Sequence, residues 1–316
     1  MSTSAFHHVY GPVPSRRLGR SLGVDLIPFK HCTYDCVYCQ LGRTTCKTCE
    51  RAPHTPVAEV LEEVARKLDG GVRPDYISLA GSGEPTLHTG IGAVLRGIKA
   101  LTDTPVAVLT NGSLLWREDV REDLAAADRV APSLDAADAE LFRRVNRPHA
   151  DISFERMLEG LTVFTKTFSG EVWLEVFLLA GVTGVAEEAR KLARAVREIR
   201  PARTQLNTVA RPPAEGDAFA VPAADMEALA RLFDGPVDII AGAPAPGAAE
   251  QADDGDILAL LARRPCTVED TARGLGIPPS DALKRLELLV RDGRARTVRT
   301  DGRVYHIPNR DAGDTP

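Results

Sequence analysis

The sequence predicts an α/β protein: an open (β/α)6 partial barrel followed by a small helical domain that ends in a β-hairpin. Three observations predict it. Between residues 21 and 209 apolar runs of strand length alternate with amphipathic helical stretches, giving six strand–helix units, the pattern of a parallel sheet with right-handed crossovers. Residues 241–255, AGAPAPGAAEQADDG, are acidic and rich in Ala, Pro and Gly, and read as a linker. Residues 256–310 then hold three short helical patterns and an Asp-Gly hairpin signal. The expected division is a first domain over 1–240, a linker over 241–255 and a second domain over 256–310.

The elements follow in order. Residues 10–20, YGPVPSRRLGR, are basic and rich in Gly and Pro. They read either as a loop over a site, with Arg16, Arg17 and Arg20 meeting a carboxylate or phosphate, or as a solvated entry loop. Strands are expected at 21–27, 75–80, 105–110, 129–134, 171–179 and 204–209, where β-branched and apolar residues cluster between turn formers. Helices are expected at 57–69, 90–101, 117–126, 152–168 and 185–200, where apolar residues recur at helical spacing. Residues 141–149, LFRRVNRPH, read as a polar, basic loop that grips a substrate, or as a solvated helix end. Asn207 and Arg211, at the last strand, either face a substrate or serve packing.

The whole chain of 316 residues is 44% hydrophobic and 26% charged, an ordinary globular balance, and its formal charge of −5 gives no global signal for nucleic acid. Five of its six cysteines fall between residues 32 and 49, which points to metal binding and away from a disulfide framework. The opening MSTSAFHHVYGPVPS has no apolar core of a secretory signal, and no apolar run reaches the roughly 18 residues of a membrane span. A reducing cytoplasm is the expected location.

The chemistry is concentrated in Lys30-His31-Cys32-Thr33-Tyr34-Asp35-Cys36-Val37-Tyr38-Cys39-Gln40. Three thiols spaced Cys-x3-Cys-x2-Cys lack the fourth nearby Cys or His of a tetrahedral zinc site. They suit a [4Fe–4S] cube held at three corners, its fourth iron open to a substrate or cofactor. The spacing, with an aromatic residue just before the last cysteine, resembles the signature of the radical S-adenosylmethionine (radical SAM) superfamily. That resemblance implies ligation by Cys32, Cys36 and Cys39, with Tyr38 among the cofactor contacts. It implies that the open iron chelates S-adenosyl-L-methionine (SAM). One electron then cleaves SAM to methionine and a 5′-deoxyadenosyl radical, which abstracts hydrogen from a substrate. An electron donor such as flavodoxin or ferredoxin is implied too. The open (β/α)6 partial barrel is the architecture of this superfamily.

Gly81-Ser82-Gly83-Glu84-Pro85 follows the strand 75–80. A Gly-rich turn lets the backbone approach a ligand closely, and the glutamate and carbonyls suit an ammonium group. The stretch resembles the superfamily's Gly-Gly-Glu element, so Gly81, Ser82, Gly83 and Glu84 are expected at the SAM amino group. By the same resemblance Asn111, Ser133 and Asp135, at the ends of the next two strands, are expected at the methionyl and ribose parts of SAM. From the residues alone Asn111-Gly112 is equally a plain turn, and Asp135 equally a helix N-cap. A second pair, Cys46 and Cys49, would need about four ligands to hold a metal. The remaining candidates are Cys266, His31 and His54, so the pair reads more simply as spare thiols on a loop.

The opening GPVPSRRLGRSLGVDLIPFKHCTYDCVYCQLGRTT resembles the wyosine-synthase-like Fe–S oxidoreductase branch. Its archetype rebuilds a methylated guanosine of tRNA into a tricyclic base with pyruvate as carbon donor, which implies a tRNA nucleoside as substrate. Two departures stand out. No cysteine precedes Cys32, where archaeal members carry three, and those members lack the C-terminal domain.

That C-terminal domain resembles a winged helix-turn-helix. A helix starts at Asp256. A second runs from Thr267, with Thr267 and Asp270 as its capping signal, to Gly276, and a third spans 281–291. Two strands flank Asp301-Gly302. Residues 284–303 carry Lys284, Arg285, Arg291, Arg294, Arg296, Arg299 and Arg303 against Glu287, Asp292 and Asp301, an excess of +4. Leu283, Leu286, Leu289 and Val290 are expected on the core face, and Cys266 as a core residue beside a helix. Nucleic acid and protein both remain open as partners of this basic surface. Two other functions follow from that: a radical SAM enzyme that modifies a peptide or protein docked on the winged helix, or an Fe–S DNA-binding redox regulator.

Overall fold

The computed structural model describes residues 6–240, 253–300 and 302–309. An antiparallel hairpin opens it, β1 (Val9–Ser15) against β2 (Gly19–Val24). The expected loop over 10–20 is therefore mostly strand. Pro12 and Pro14 are tolerated because β1 is the edge of the sheet, where a missing N–H need cost no ladder bond. The cysteine loop follows, with the two-residue strands β3 (His31–Cys32) and β4 (Cys46–Lys47) paired in parallel.

Then comes α1 (Val57–Asp69), β5 (Tyr76–Leu79), α2 (Ile91–Leu101), β6 (Val106–Leu109), α3 (Glu118–Leu124), β7 (Arg129–Ala131), α4 (Ala139–Val145), α5 (Phe154–Thr167), β8 (Glu171–Leu178), α6 (Ala186–Ile199) and β9 (Arg203–Thr208). The chain adds α7 (Ala223–Ala230) and β10 (Val237–Ile239), both unanticipated in the sequence. Each helix buries one stripe. In α2 it is Ile91, Val94, Leu95 and Ile98, and in α6 Ala189, Leu192, Ala193, Val196 and Ile199, both at helical spacing.

The strands form one open sheet in the order β1-β2-β5-β6-β7-β8-β9-β10. Every pair but β1–β2 is parallel. The six expected strands are there in their expected order, and the sheet gains one strand at each edge. Leu22, Val24, Ile77, Leu79, Val106, Val108, Val130, Leu174, Val176 and Leu206 are buried in it, as continuous apolar strands of a parallel sheet should be. The C-terminal ends of the parallel strands then gather at one rim, where such folds place chemistry.

The C-terminal part holds α8 (Asp254–Arg263), α9 (Val268–Leu275), α10 (Pro279–Arg291) and an antiparallel hairpin of β11 (Ala295–Thr300) and β12 (Arg303–Pro308). Reciprocal capping boxes, Asp253 with Asp256 and Thr267 with Asp270, start α8 and α9. α8 begins inside the stretch expected as linker, of which residues 241–252 lie outside the described residues, as does Asp301 of the hairpin turn. Ile257, Leu260, Leu261, Cys266, Leu286, Leu289 and Ala295 form a core of their own, and Val13 of β1 packs against it. Cys266 is buried there, its backbone bonded both ways to His306. Leu283, expected on the core face, is 42% exposed. The buried stripe of α10 runs through Ala282, Leu286 and Leu289, which turns Leu283 toward solvent.

Candidate active site

The cysteine loop leaves the C-terminal end of β2 and is clamped from two sides. Residues 145–149, expected as a ligand grip or a solvated end, hold it through the backbone. Val37 N–H donates to Val145 O at 2.9 Å, Asp35 N–H to Asn146 O at 3.0 Å, and His149 N–H to Thr33 O at 2.8 Å. On the other side Thr48 N–H donates to Cys32 O at 3.0 Å, and Cys46 N–H to Lys30 O at 3.2 Å. The segment of Cys46 and Cys49 thus braces the first cysteine of the signature.

Cys32, Cys36 and Cys39 are free and half-buried. Each sulfur has a donor aimed at it. Asn111 Nδ2 lies 3.5 Å from Cys32 Sγ, Asn146 Nδ2 3.5 Å from Cys36 Sγ, and Lys30 Nζ 3.2 Å from Cys39 Sγ. Such donors stabilise thiolate ligands. Without metal, burial, with Glu84 next, pushes the Cys32 thiol up to about 12. Burial, with Asp135 next, raises Cys36 as well, so iron held by these thiols would displace their protons. Among the described residues no three His, Cys, Asp or Glu side chains are grouped so as to hold one ion. A cube makes a looser demand, because each cysteine binds a different iron. This donor set fits a cluster.

The Gly81–Glu84 turn packs directly on this loop. A Cβ on Gly83 would stand 2.0 Å from His31 O, and one on Gly81 2.3 Å from the Asp25 carboxyl carbon. Only glycine allows these approaches. Asp25, one polar letter in the strand pattern SLGVDLI, organises the turn: both its oxygens accept from Ser82 N–H at 3.1 Å, and one accepts from Ser82 Oγ at 2.6 Å. Ser82 O in turn accepts from Lys30 N–H at 2.7 Å.

Glu84 is 2% exposed and braces the rim. One oxygen accepts from Thr86 N, Thr86 Oγ1 and Thr110 Oγ1, the other from Asn111 N–H at 2.7 Å. Burial pushes its carboxyl up against the pull of those bonds. Asn111 sits between the turn and the cysteines, donating to Thr33 Oγ1 at 2.7 Å. It is therefore more than a plain turn residue.

Asp135 is not a helix cap. That role in α4 falls to Asp138, which accepts from Leu141 N–H at 2.9 Å. Asp135 instead accepts from Tyr38 Oη at 2.5 Å and Asn146 Nδ2 at 2.6 Å, so it ties the cysteine loop to the sheet. The Tyr38 ring stacks on Phe177, centroids 3.9 Å apart. Ser133, just past β7, is bridged to Glu175 of β8.

Burial lifts the Asp135 carboxyl to about 6. The native state then holds a proton that the unfolded chain releases near 3.8. This contribution to stability is fully present at low pH and is lost as pH rises through about 6, by on the order of 3 kcal/mol in all. Asp135→Asn is expected to flatten that part of the curve, measured by urea unfolding between about pH 4 and about pH 7. An unchanged slope would place the proton elsewhere.

Beside Tyr38 and Cys39 opens a cavity of about 230 Å³, lined by Arg16, Arg17, Gln40, Glu175, Asn207 and Arg211 among others. Arg17 pairs with Glu175, Arg16 donates to Asn207 Oδ1 at 3.1 Å, and Asn207 Nδ2 donates to Glu175 at 3.2 Å. Arg16, Arg17, Asn207 and Arg211, each of which the sequence allows as a ligand contact or in a plainer role, all line this cavity. The C-terminal part covers the same rim. Arg263 Nε lies 3.6 Å from Asp25 Oδ2, its guanidinium stands over the Tyr10 ring, and Tyr305 Oη reaches Ala210 O at 3.5 Å.

Residues 26–196, more than half of the chain, match the family model of the Radical SAM superfamily. The chain belongs to that superfamily of enzymes, and membership implies a [4Fe–4S] cluster and SAM. It is similar to a UPF0026 protein of Methanocaldococcus jannaschii, 39% identical over 208 residues that make up 65% of this chain and 64% of that one. It is also similar, at 38% identity over 306 residues, to a Brachyspira hyodysenteriae protein named GTPase Obg. That match takes in 95% of this chain and 45% of the other, so the chain spans roughly half to two thirds of the length of these relatives. A solved radical SAM methyltransferase from Sphaerobacter thermophilus shares the fold, with a TM-score of 0.53 at 18% identity over 69% of this chain and 65% of that one. No helix among the described residues is long and apolar enough to cross a membrane.

Proposed function

We propose that this protein removes a hydrogen atom from a nucleoside of tRNA, using a [4Fe–4S] cluster on Cys32, Cys36 and Cys39 and SAM as the radical source. When bound, the cluster supplies the electron that splits SAM into methionine and a 5′-deoxyadenosyl radical, which takes the substrate hydrogen to become 5′-deoxyadenosine. The Gly81–Gly83 backbone receives the SAM amino group, and Glu84 keeps that turn and Asn111 in place. Ser133, Asp135 and Tyr38 shape the floor under the adenosyl part. A cytoplasmic flavodoxin or ferredoxin delivers the electron, and the C-terminal part, a winged-helix domain, meets the nucleic acid.

The observation that carries this reading is the arginine-rich cavity beside Tyr38 and Cys39, whose polar lining suits a charged nucleotide better than an apolar substrate. An apolar groove of about 430 Å³ between the cysteine loop and the C-terminal part, lined by Leu41, Pro212, Leu261, Pro265 and Ile307 among others, favours a second reading, a peptide substrate. The deciding experiment is anaerobic reconstitution, reduction with dithionite, and measurement of 5′-deoxyadenosine by mass spectrometry with and without bulk tRNA. Stimulation by tRNA is expected. Protein with a full cluster that forms none under either condition would sink the proposal.

Lys30 offers a separate check. Its buried ammonium next to Cys39 favours the reduced, more negative cluster. Lys30→Met is expected to lower the reduction potential on the order of 100 mV, as for a unit charge roughly 6 Å away at an effective dielectric of about 20. Protein-film voltammetry reads this directly, and an unmoved potential would show that the ammonium does not act on the cluster.

A further inference from the structure

We propose that the C-terminal part completes a phosphate-binding subsite at the rim of the barrel, where Arg264 joins Arg16 and Arg211 to hold a phosphoryl group of the substrate. The proposal deepens the nucleotide reading above and rests on it for the identity of the ligand.

Five arginines from three separate segments line one cavity of about 220 Å³. Arg16 and Arg17 come from the turn between β1 and β2, Arg211 from the segment after β9, and Arg263 and Arg264 from the end of α8. Two are neutralised: Arg17 by Glu175, and Arg263 by Asp25. The other three make no ion pair among the described residues. Arg16 donates to the Asn207 amide oxygen and Arg211 to Gln40 Oε1 at 3.4 Å, both neutral acceptors. The Nε atoms of Arg211 and Arg264 are buried without any hydrogen-bond partner. Asp270 is the carboxylate that acts on Arg211, behind the Cys266 thiol, and it is engaged in capping α9.

Burying guanidinium groups together is costly in two ways, through lost hydration and mutual repulsion. Both are visible here. Burial, followed by the charge of Arg211, brings Arg16 down to about 10, and burial, followed by the charge of Arg264, lowers Arg211. A chain with net charge −5 has carboxylates enough to neutralise such a cluster, yet among the described residues none forms an ion pair with these three, and Glu175 and Asp270 act on Arg16 and Arg211 only from farther off. What they lack is a compact anion of more than one charge with several acceptor oxygens. A phosphoryl group is that ligand, and the planar guanidinium fork matches it in bidentate fashion. The position gives the subsite its use. Gln40, beside the last signature cysteine, lines this cavity as well as the one next to Tyr38. An anchored phosphate would therefore hold the rest of a nucleotide toward the radical source, and Arg264 makes that anchor depend on the docked C-terminal part.

The test is calorimetric titration of the anaerobically reconstituted holoprotein, with SAM present, using inorganic pyrophosphate as the probe. Wild-type protein is expected to bind it, and Arg264→Gln and Arg211→Gln each to weaken binding by about tenfold or more. Arg264→Lys, which keeps the charge and loses the fork, should recover only part of the loss. Arg190→Gln, on the exposed side of α6, should match wild type. Arg16→Gln reports the same site from the barrel side, so one poorly folding variant does not decide the outcome. No binding by wild-type protein at millimolar pyrophosphate, or wild-type affinity in Arg16→Gln, Arg211→Gln and Arg264→Gln alike, overturns the proposal. Competition then names the source of the phosphate. Displacement of pyrophosphate by a nucleoside triphosphate or by unfractionated tRNA supports the subsite, and displacement by neither counts against it. The titration needs no reductant and no turnover, so it can fail while 5′-deoxyadenosine still forms, and the reverse.

Discussion

Cys36→Ala protein is expected to purify without a [4Fe–4S] cluster and to form no 5′-deoxyadenosine above background, and the same holds for Cys32→Ala and Cys39→Ala. With the proposed ligand set the cluster has three protein anchors, so losing one leaves two irons without a protein ligand. The surroundings cannot substitute for the lost thiolate. Asn111, Asn146 and Lys30 point donors at the sulfurs, and a donor cannot ligate a cation. Cys46→Ser and Cys49→Ser are expected to keep their iron, because that segment braces the loop through backbone bonds. Iron and sulfide content together with product formation check both expectations. A Cys36→Ala protein with a full cluster would refute the ligand assignment.

Gly83→Ala is expected to cost SAM affinity on the order of 100-fold and stability by about 1–3 kcal/mol, the usual range for forcing atoms into a packed site. The new methyl would stand 2.0 Å from the carbonyl oxygen of His31 and 2.6 Å from Ile27 Cγ2. Neither yields easily, since His31 O also accepts the Glu84 N–H at 3.1 Å, which with Lys30 N–H to Ser82 O joins the turn to the cysteine loop. Gly216→Ala, with open space at the corresponding point, should be nearly neutral. Equilibrium dialysis with SAM and thermal unfolding measure the two effects, and equal behaviour of the two variants would show that the close approach has no role.

The six parallel strands could be read from the sequence because they are buried on both faces, and burial writes itself as unbroken apolar runs. The cysteines and the Gly-rich turn were legible because their spacing is local. What escaped was long-range. Asp25 looks like one polar letter in the strand SLGVDLI, and only the fold brings Ser82 to it. Residues 141–149 read as a ligand grip or a solvated helix end because basic residues flank Asn146, and only the fold shows the backbone of Val145, Asn146 and His149 bonded to the cysteine loop. Two prolines hide β1 in the sequence, and they are acceptable because β1 is the edge of the sheet among the described residues. The meeting of Arg16, Arg211 and Arg264 spans more than two hundred residues of chain, and no window along a sequence contains it.

Asp25 has a thermodynamic consequence. The same carboxylate that fixes Ser82 also faces Arg263, so the Gly81–Glu84 turn, proposed to receive SAM, and the docked α8 share one charged group. Two equilibria that share a group are linked, and linkage is reciprocal. If docking of α8 tightens the grip on SAM by some factor, SAM tightens the docking by the same factor. On the proposed SAM site, α8 is then a ligand of the sheet it docks on, and whatever pulls it away is expected to lower the affinity for SAM without touching a single proposed SAM contact.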